Sequence, residues 1–66
     1  KGKIAIKVCV SRQGTVIASK YLPKYSTLND PHLVANAIRA ARRYKFERDY
    51  TAPEKQWGKL TFIFDI

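Results

Sequence analysis

The stretch that decides the fold of this chain is Gly58-Lys59-Leu60-Thr61-Phe62-Ile63-Phe64-Asp65-Ile66. Apolar side chains recur in it at every second position, and a period of two is typical of a β-strand with one buried face. The side chains expected on the buried face are those of Leu60, Phe62, Phe64 and Ile66. The opposite face is then expected to carry Lys59, Thr61, Ile63 and Asp65.

A helix is predicted upstream of this strand. Asp30 can cap the free N–H groups at its start. Pro31 suits the first helical position, because the N–H that it lacks would have no partner within the helix. Residues at helical spacing form an apolar stripe that we expect to pack on a sheet, and they are Leu33, Val34, Ala37, Ile38, Ala40, Ala41 and Tyr44. Residues 45–57 are expected to form a loop whose aromatic side chains fold over the ends of the core, so that Gly58 opens the final strand.

Two more strands are predicted near the start of the sequence. Residues 3–10 place β-branched side chains on one face, namely Ile4, Ile6, Val8 and Val10. A turn at residues 11–14 follows, because Gly14 can adopt a positive φ. Residues 15–22 form the return strand, in which a bulge near Ile17 and Ala18 would bring Val16, Ser19 and Tyr21 onto one face.

These elements predict an α+β domain with a two-layer ββαβ sandwich. Its three-stranded antiparallel sheet has the order 2-1-3, and one helix packs on one face. The 66 residues are enough for one small domain, residues 1–66. The sequence has no initiator Met and enters a strand almost at once, so we expect a fragment of a longer parent chain, with any anchoring segment upstream.

The charge is strongly positive, with 13 Lys and Arg against 5 Asp and Glu. Such a balance fits nucleic acid, an anionic surface or an acidic protein partner, and it also fits a merely solvated surface. The candidate polyanion site is the basic helix face, formed by Arg39, Arg42, Arg43 and Lys45. The solvated face is favoured, because Tyr44 is assigned to the buried stripe and the sequence lacks an RNA-recognition aromatic motif.

Catalysis has little support in this sequence. His32 is the only histidine, and no carboxylate pair, Gly-rich phosphate loop or metal-ligand spacing is present. Cys9 is the only cysteine, which excludes an intrachain disulfide, and it is expected to be a small apolar filler. We therefore expect a protein that is not an enzyme and that uses no cofactor or metal.

The final strand is the better candidate for a functional site. It follows the helix and contains no Pro and no Gly after Gly58, so its outer edge is expected to be free. An extended peptide could then add to it as a fourth strand. The predicted partner-binding residues are Lys59, Leu60, Thr61, Phe62, Ile63 and Phe64. The alternative is a tolerated edge, or an edge covered by residues upstream of this sequence.

Three blocks, in order and spacing, resemble the C-terminal domain of the TonB family of energy transducers. The hairpin Ile6–Val16 is similar to the family's strand, turn and Gly-x-Val unit. Residues Ala40–Glu47 are similar to its A-x-x-W/Y-x-F-x-P signature, although Arg48 stands where many members have Pro. Residues Gly58–Phe64 are similar to its closing strand. The likeness covers nearly all of the chain.

The resemblance implies a periplasmic domain of an inner-membrane-anchored protein, tethered by an N-terminal helix to a proton-driven motor of the ExbB–ExbD type. Its third strand, here residues 59–64, would pair with the Ton-box peptide of an outer-membrane TonB-dependent receptor and transmit force for nutrient uptake. Free edges would also allow a homodimer, and nucleic acid is not an expected partner. The alternatives are a small basic domain that binds polyanions or nucleic acid, and a TolA-like periplasmic interaction domain.

Overall fold

The computed structural model describes residues 2–48, 50–51 and 53–65. Its elements are strand β1 (Gly2–Ser11), strand β2 (Val16–Leu22), a 3₁₀ turn (Pro23–Tyr25), helix α1 (Pro31–Arg43) and strand β3 (Lys55–Phe64). The sheet is antiparallel in the order β2-β1-β3, and α1 packs on one face, as predicted. The expected inward position of Ile66 lies outside the described residues. Among those residues, no helix combines the length and apolarity needed to cross a bilayer.

The core lies between α1 and the central strand. We call the sheet face that carries α1 the inner face and the opposite one the outer face. Ile4, Ile6 and Val8 on the inner face of β1 are at most 1% exposed. Ala37 and Ala41 of α1 belong to the same cluster, and their short side chains allow the helix to approach closely. The sequence therefore predicted the centre of the core correctly.

Helix α1 begins as predicted and ends differently. The Asp30 carboxylate accepts a hydrogen bond from the His32 backbone N–H at 2.8 Å. The buried stripe is shorter than predicted, since Ala40 is exposed and Tyr44 is 49% exposed. Tyr44 follows the last helical residue with an extended ψ of 134°, so the backbone leaves the helical path before this side chain can reach the sheet. Its ring lies 5.0 Å from that of Phe46.

The β1–β2 hairpin contains the predicted bulge. Gly14 in its turn has a φ of +84°. Val10 pairs with Val16 and Cys9 with Ala18, so Ile17 is the extra residue of β2. Because of this extra residue, Val16, Ser19 and Tyr21 all stand opposite inner-face residues of β1, as predicted.

The segment after the 3₁₀ turn lies along β1, which the sequence did not predict. The Ser26 hydroxyl accepts a hydrogen bond from the Ala5 N–H at 2.8 Å and donates one to the Leu22 carbonyl at 2.7 Å. The Thr27 N–H donates to the Lys3 carbonyl at 2.9 Å. Beyond the end of β2, Ser26 and Thr27 therefore lie along the edge of β1 that faces away from β3.

The expected loop before the last strand is shorter than predicted, because β3 starts at Lys55. Gly58 thus lies inside the strand and does not open it. Phe46 packs against the core as predicted, and its N–H donates to the Gly14 carbonyl at 2.8 Å. Tyr50 and Trp57 do not cover the core and are 63% and 57% exposed. Trp57 is exposed because it stands on the outer face of β3.

Candidate partner-binding edge

Strand β3 forms one edge of the sheet and contains all six residues of the predicted site. It pairs with β1 in a continuous register from Gly2–Phe64 to Ser11–Lys55, without a bulge. No other strand in the described part of the chain lies on its far side. The edge therefore extends from the predicted residues 59–64 back to Lys55.

Hydrogen-bond direction determines which residues of β3 face outward. In an antiparallel strand, the N–H and C=O of one residue point to the same side, and the side alternates along the chain. Lys3 and Ala5 direct their N–H groups to Thr27 and Ser26, away from β3. The backbone groups of the alternate residues of β1 must then point to β3. Their register partners there are Gln56, Gly58, Leu60, Phe62 and Phe64. The backbone groups that point to the free edge are those of Lys55, Trp57, Lys59, Thr61 and Ile63.

The other edge of the sheet is less suited to docking. Strand β2 has 7 residues against 10 in β3, and it is bulged at Ile17. The chain after α1 crosses its start, where Thr15 forms a bridge with Lys45. Bulges and covered ends are the usual protection of sheet edges. Only β3 therefore offers a long and regular edge among the described strands.

The inner side of β3 is incompletely covered. Helix α1 packs mainly over β1 and β2, and the apolar side chains of β3 stay partly exposed, namely Leu60, Phe62 and Phe64. Gly58 leaves a gap in their row, since no atom beyond the glycine and its two chain neighbours lies within 4 Å of the position that a Cβ would take. A cavity of about 190 Å³ opens there beside Val8, Val10 and Phe46. We call this space the Gly58 notch.

The outer face is basic. None of the three strands contains an acidic residue, and the register places all their lysines on this face, namely Lys3, Lys7, Lys20, Lys55 and Lys59. Lys7 stands directly opposite Lys20 on one side and Lys59 on the other. We call these three the lysine row. Like charges directly opposite each other destabilise a sheet, so this row favours an anionic partner.

Two aromatic rings accompany the lysine row. The Lys7 ammonium lies 4.9 Å from the ring centre of Trp57. The Lys59 ammonium lies 4.6 Å from that of Tyr25. With Leu22, these residues line an open cavity of about 440 Å³. Each cation–π contact at such an exposed site contributes about 0.5–1 kcal/mol, which leaves both lysines able to exchange it for a carboxylate.

The remaining candidates do not form a site. Cys9 is 2% exposed within β1 and is the predicted apolar filler. His32 is exposed in the first turn of α1. Arg39 bonds Asn36 on the same helix, and Arg42 reaches the Ser19 hydroxyl at 3.3 Å. The described residues include no group of His, Cys, Asp or Glu side chains that could hold a metal ion.

The sequence interpretation missed the outer-face residues beside the edge. Trp57 lies two residues before Lys59, so a predicted strand that began before Trp57 would have placed both on the outer face. Lys7 and Lys20 lie in strands that the sequence predicts, but their alignment with Lys59 depends on the register between three strands. Tyr25 carries no sequence signal for this position.

No protein-family model, no curated protein and no solved structure matches this chain. The resemblance to the TonB family therefore stays a prediction.

Proposed function

We propose that this domain captures an extended peptide by β-strand pairing at the free edge of β3. The observation that carries the proposal is the regular edge from Lys55 to Phe64, with outward N–H and C=O groups at every second residue. Main-chain hydrogen bonds to those groups supply affinity, and alternate side chains of the partner supply specificity. The predicted residues 59–64 form its central and distal part.

The pairing of the sheet supports a role in transmitting a pull on such a peptide. An added strand would load β3 along its length, and β3 is paired with the central strand over all ten of its residues. Strand β1 is in turn held by β2 and by Ser26 and Thr27. This arrangement supports a role in force transmission, since the load is shared by many hydrogen bonds.

We further propose the cellular role that the resemblance implies. The domain would sit in the periplasm, anchored through its parent chain to an ExbB–ExbD-type motor in the inner membrane. The captured strand would be the Ton-box peptide of an outer-membrane receptor. The edge geometry supports the mode of binding, whereas the receptor, the motor and the compartment rest on the resemblance. A TolA-like domain would use the same edge for a different periplasmic protein.

The test is an NMR titration of labelled protein with a short Ton-box-like peptide. We expect amide shifts at Lys59, Thr61 and Ile63, whose N–H groups face the edge. The Ile63→Pro variant removes one of these donors without touching the β1 ladder, and Ile63→Val keeps it. We expect Pro to weaken binding about three- to tenfold relative to Val, as the loss of one hydrogen bond implies. Equal affinity of the two variants would contradict edge pairing at this residue.

Polyanion binding is a second candidate function, favoured by the outer face and not by the helix. The strand lysines lie together there with Trp57 and Tyr25, and lysines interleaved with aromatic rings are typical of single-strand nucleic-acid sites. This candidate predicts oligonucleotide binding that falls steeply with salt and shifts at Lys7 and Trp57. Peptide pairing through main-chain bonds is expected to depend less on salt, so the two candidates separate in one titration series.

A further inference from the structure

We propose that β3 selects its partner by a three-residue pattern, in which an acidic residue opposite Lys59 is flanked by apolar residues opposite Gly58 and Leu60. The residue opposite Gly58 is the larger of the two. This inference rests on the proposed edge capture and adds the chemistry of the captured strand.

The acidic position follows from the lysine row. Lys20, Lys7 and Lys59 stand opposite one another across the sheet, and Lys59 is the end of the row at the free edge. A strand added to β3 places one side chain on the outer face directly beside Lys59. Opposite charges in such cross-strand pairs stabilise a sheet and like charges destabilise it. A carboxylate at this position therefore meets Lys59 and the field of the two lysines behind it.

The apolar positions follow from the inner face. The residues before and after the acid point to the inner face, because side chains alternate along a strand. One of them lies beside Leu60, which α1 leaves partly exposed. The other lies beside Gly58, where the Gly58 notch offers about 190 Å³ against Val8, Val10 and Phe46. A bulky apolar side chain fits this notch and would cover the exposed side of the core.

The direction of the partner sets the order of the pattern. An antiparallel strand presents apolar, acidic and bulky residues in that order from its N-terminus, and a parallel strand presents the reverse. The probes are therefore two short Thr-rich peptides with Val-Glu-Phe or Phe-Glu-Val at the centre. Each has a counterpart with Gln in place of Glu and a counterpart with Ala in place of Phe.

The experiment measures the Kd of each peptide by NMR titration at low salt. For wild-type protein we expect one of the two orders to bind better, and its Glu form to bind about two- to fivefold tighter than its Gln form. Lys59→Gln is expected to at least halve this difference, since Lys7 and Lys20 stand one and two strands further away. Lys55→Gln is the matched control, because Lys55 also lies on the outer face of β3 but stands opposite Ser11, and it should retain the difference.

The Gly58→Val variant tests the notch. The position has open space around it, and Val suits a strand better than Gly, so the fold should be retained. We expect the variant to lose the preference for Phe over Ala while keeping the preference for Glu over Gln.

Equal binding of Glu and Gln peptides, or an undiminished difference in Lys59→Gln, would overturn the acidic position. An undiminished preference for Phe in Gly58→Val would overturn the notch. In either case edge capture stands if Ile63→Pro still weakens binding. If no peptide binds, both the pattern and the proposed function are wrong.

Discussion

At the scale of single residues, Ser26 connects two strands from outside the core. Its hydroxyl accepts the Ala5 N–H and donates to the Leu22 carbonyl. Ala5 and Leu22 are the last register pair between β1 and β2, so the Ser26 hydroxyl joins the two strands at the end of β2. The bond to Ala5 is partly buried, and an unmet donor there costs more than one that water can reach.

Ser26→Ala is expected to lower the free energy of unfolding by about 1–3 kcal/mol, because the Ala5 N–H loses its acceptor. Urea unfolding followed by circular dichroism measures this. The control is Thr27→Val, which removes the hydroxyl that accepts from Lys3 at an exposed site. Water replaces that acceptor, so its loss should be below about 1 kcal/mol. Equal losses in the two variants would argue against the structural role of Ser26.

At the scale of elements, β3 has two kinds of position. Inner-face residues bond β1 through their backbones, and outer-face residues direct their backbones to the free edge. Because Pro lacks an N–H, it is tolerated in an edge strand only where that N–H points outward. The loss of stability caused by Pro should therefore alternate from one residue of β3 to the next.

The free energy of unfolding of Phe62→Pro is expected to be at least about 1 kcal/mol lower than that of Phe62→Ala. The reason is that Pro also removes the ladder hydrogen bond to Ile4. Ile63→Pro should differ from Ile63→Ala by less than half of that amount. Denaturant midpoints of the four variants provide both differences, and the Ala variants subtract the side-chain contribution. A larger penalty at Ile63 than at Phe62 would reverse the assignment of the free edge.

At the scale of the whole molecule, charge is separated between the two sheet faces. The lysines of the strands share the outer face, while the inner face of β1 is apolar. Folding therefore brings like charges together that are far apart in the chain. This repulsion between lysines destabilises the isolated domain, and an acidic partner would reduce it.

Lys20→Glu is expected to raise the free energy of unfolding by about 0.5–1 kcal/mol at low salt, because it replaces a like-charge pair with Lys7 by an opposite-charge pair. The gain should shrink as salt screens the charges. The matched control is Lys3→Glu, which makes the same charge change at a residue that stands opposite Ile63 instead of a lysine and bonds Thr27 through its backbone. Thermal unfolding at two ionic strengths measures both, and equal gains would contradict a specific role of the row.

The predicted fold agrees with the structure because its signals are local. Alternation predicted β1 and β3, the Asp30-Pro31 pair predicted the start of α1, and the broken alternation around Ile17 predicted the bulge. The errors fall where local signals end. The sequence predicts a loop at Trp57 because Gly58 resembles a strand start, and it predicts a buried Tyr44 because this residue continues the helical period although the helix has ended.

The sequence by itself determined the order of the elements, the centre of the core and the position of β3 at an edge of the sheet. The tertiary structure alone decided the register, and with it the direction of each N–H on β3, the lysine row and the position of Ser26 beside Ala5. The reason is physical. A local period depends only on neighbours in the chain, whereas register depends on how strands and turns distant in sequence fit together around one core.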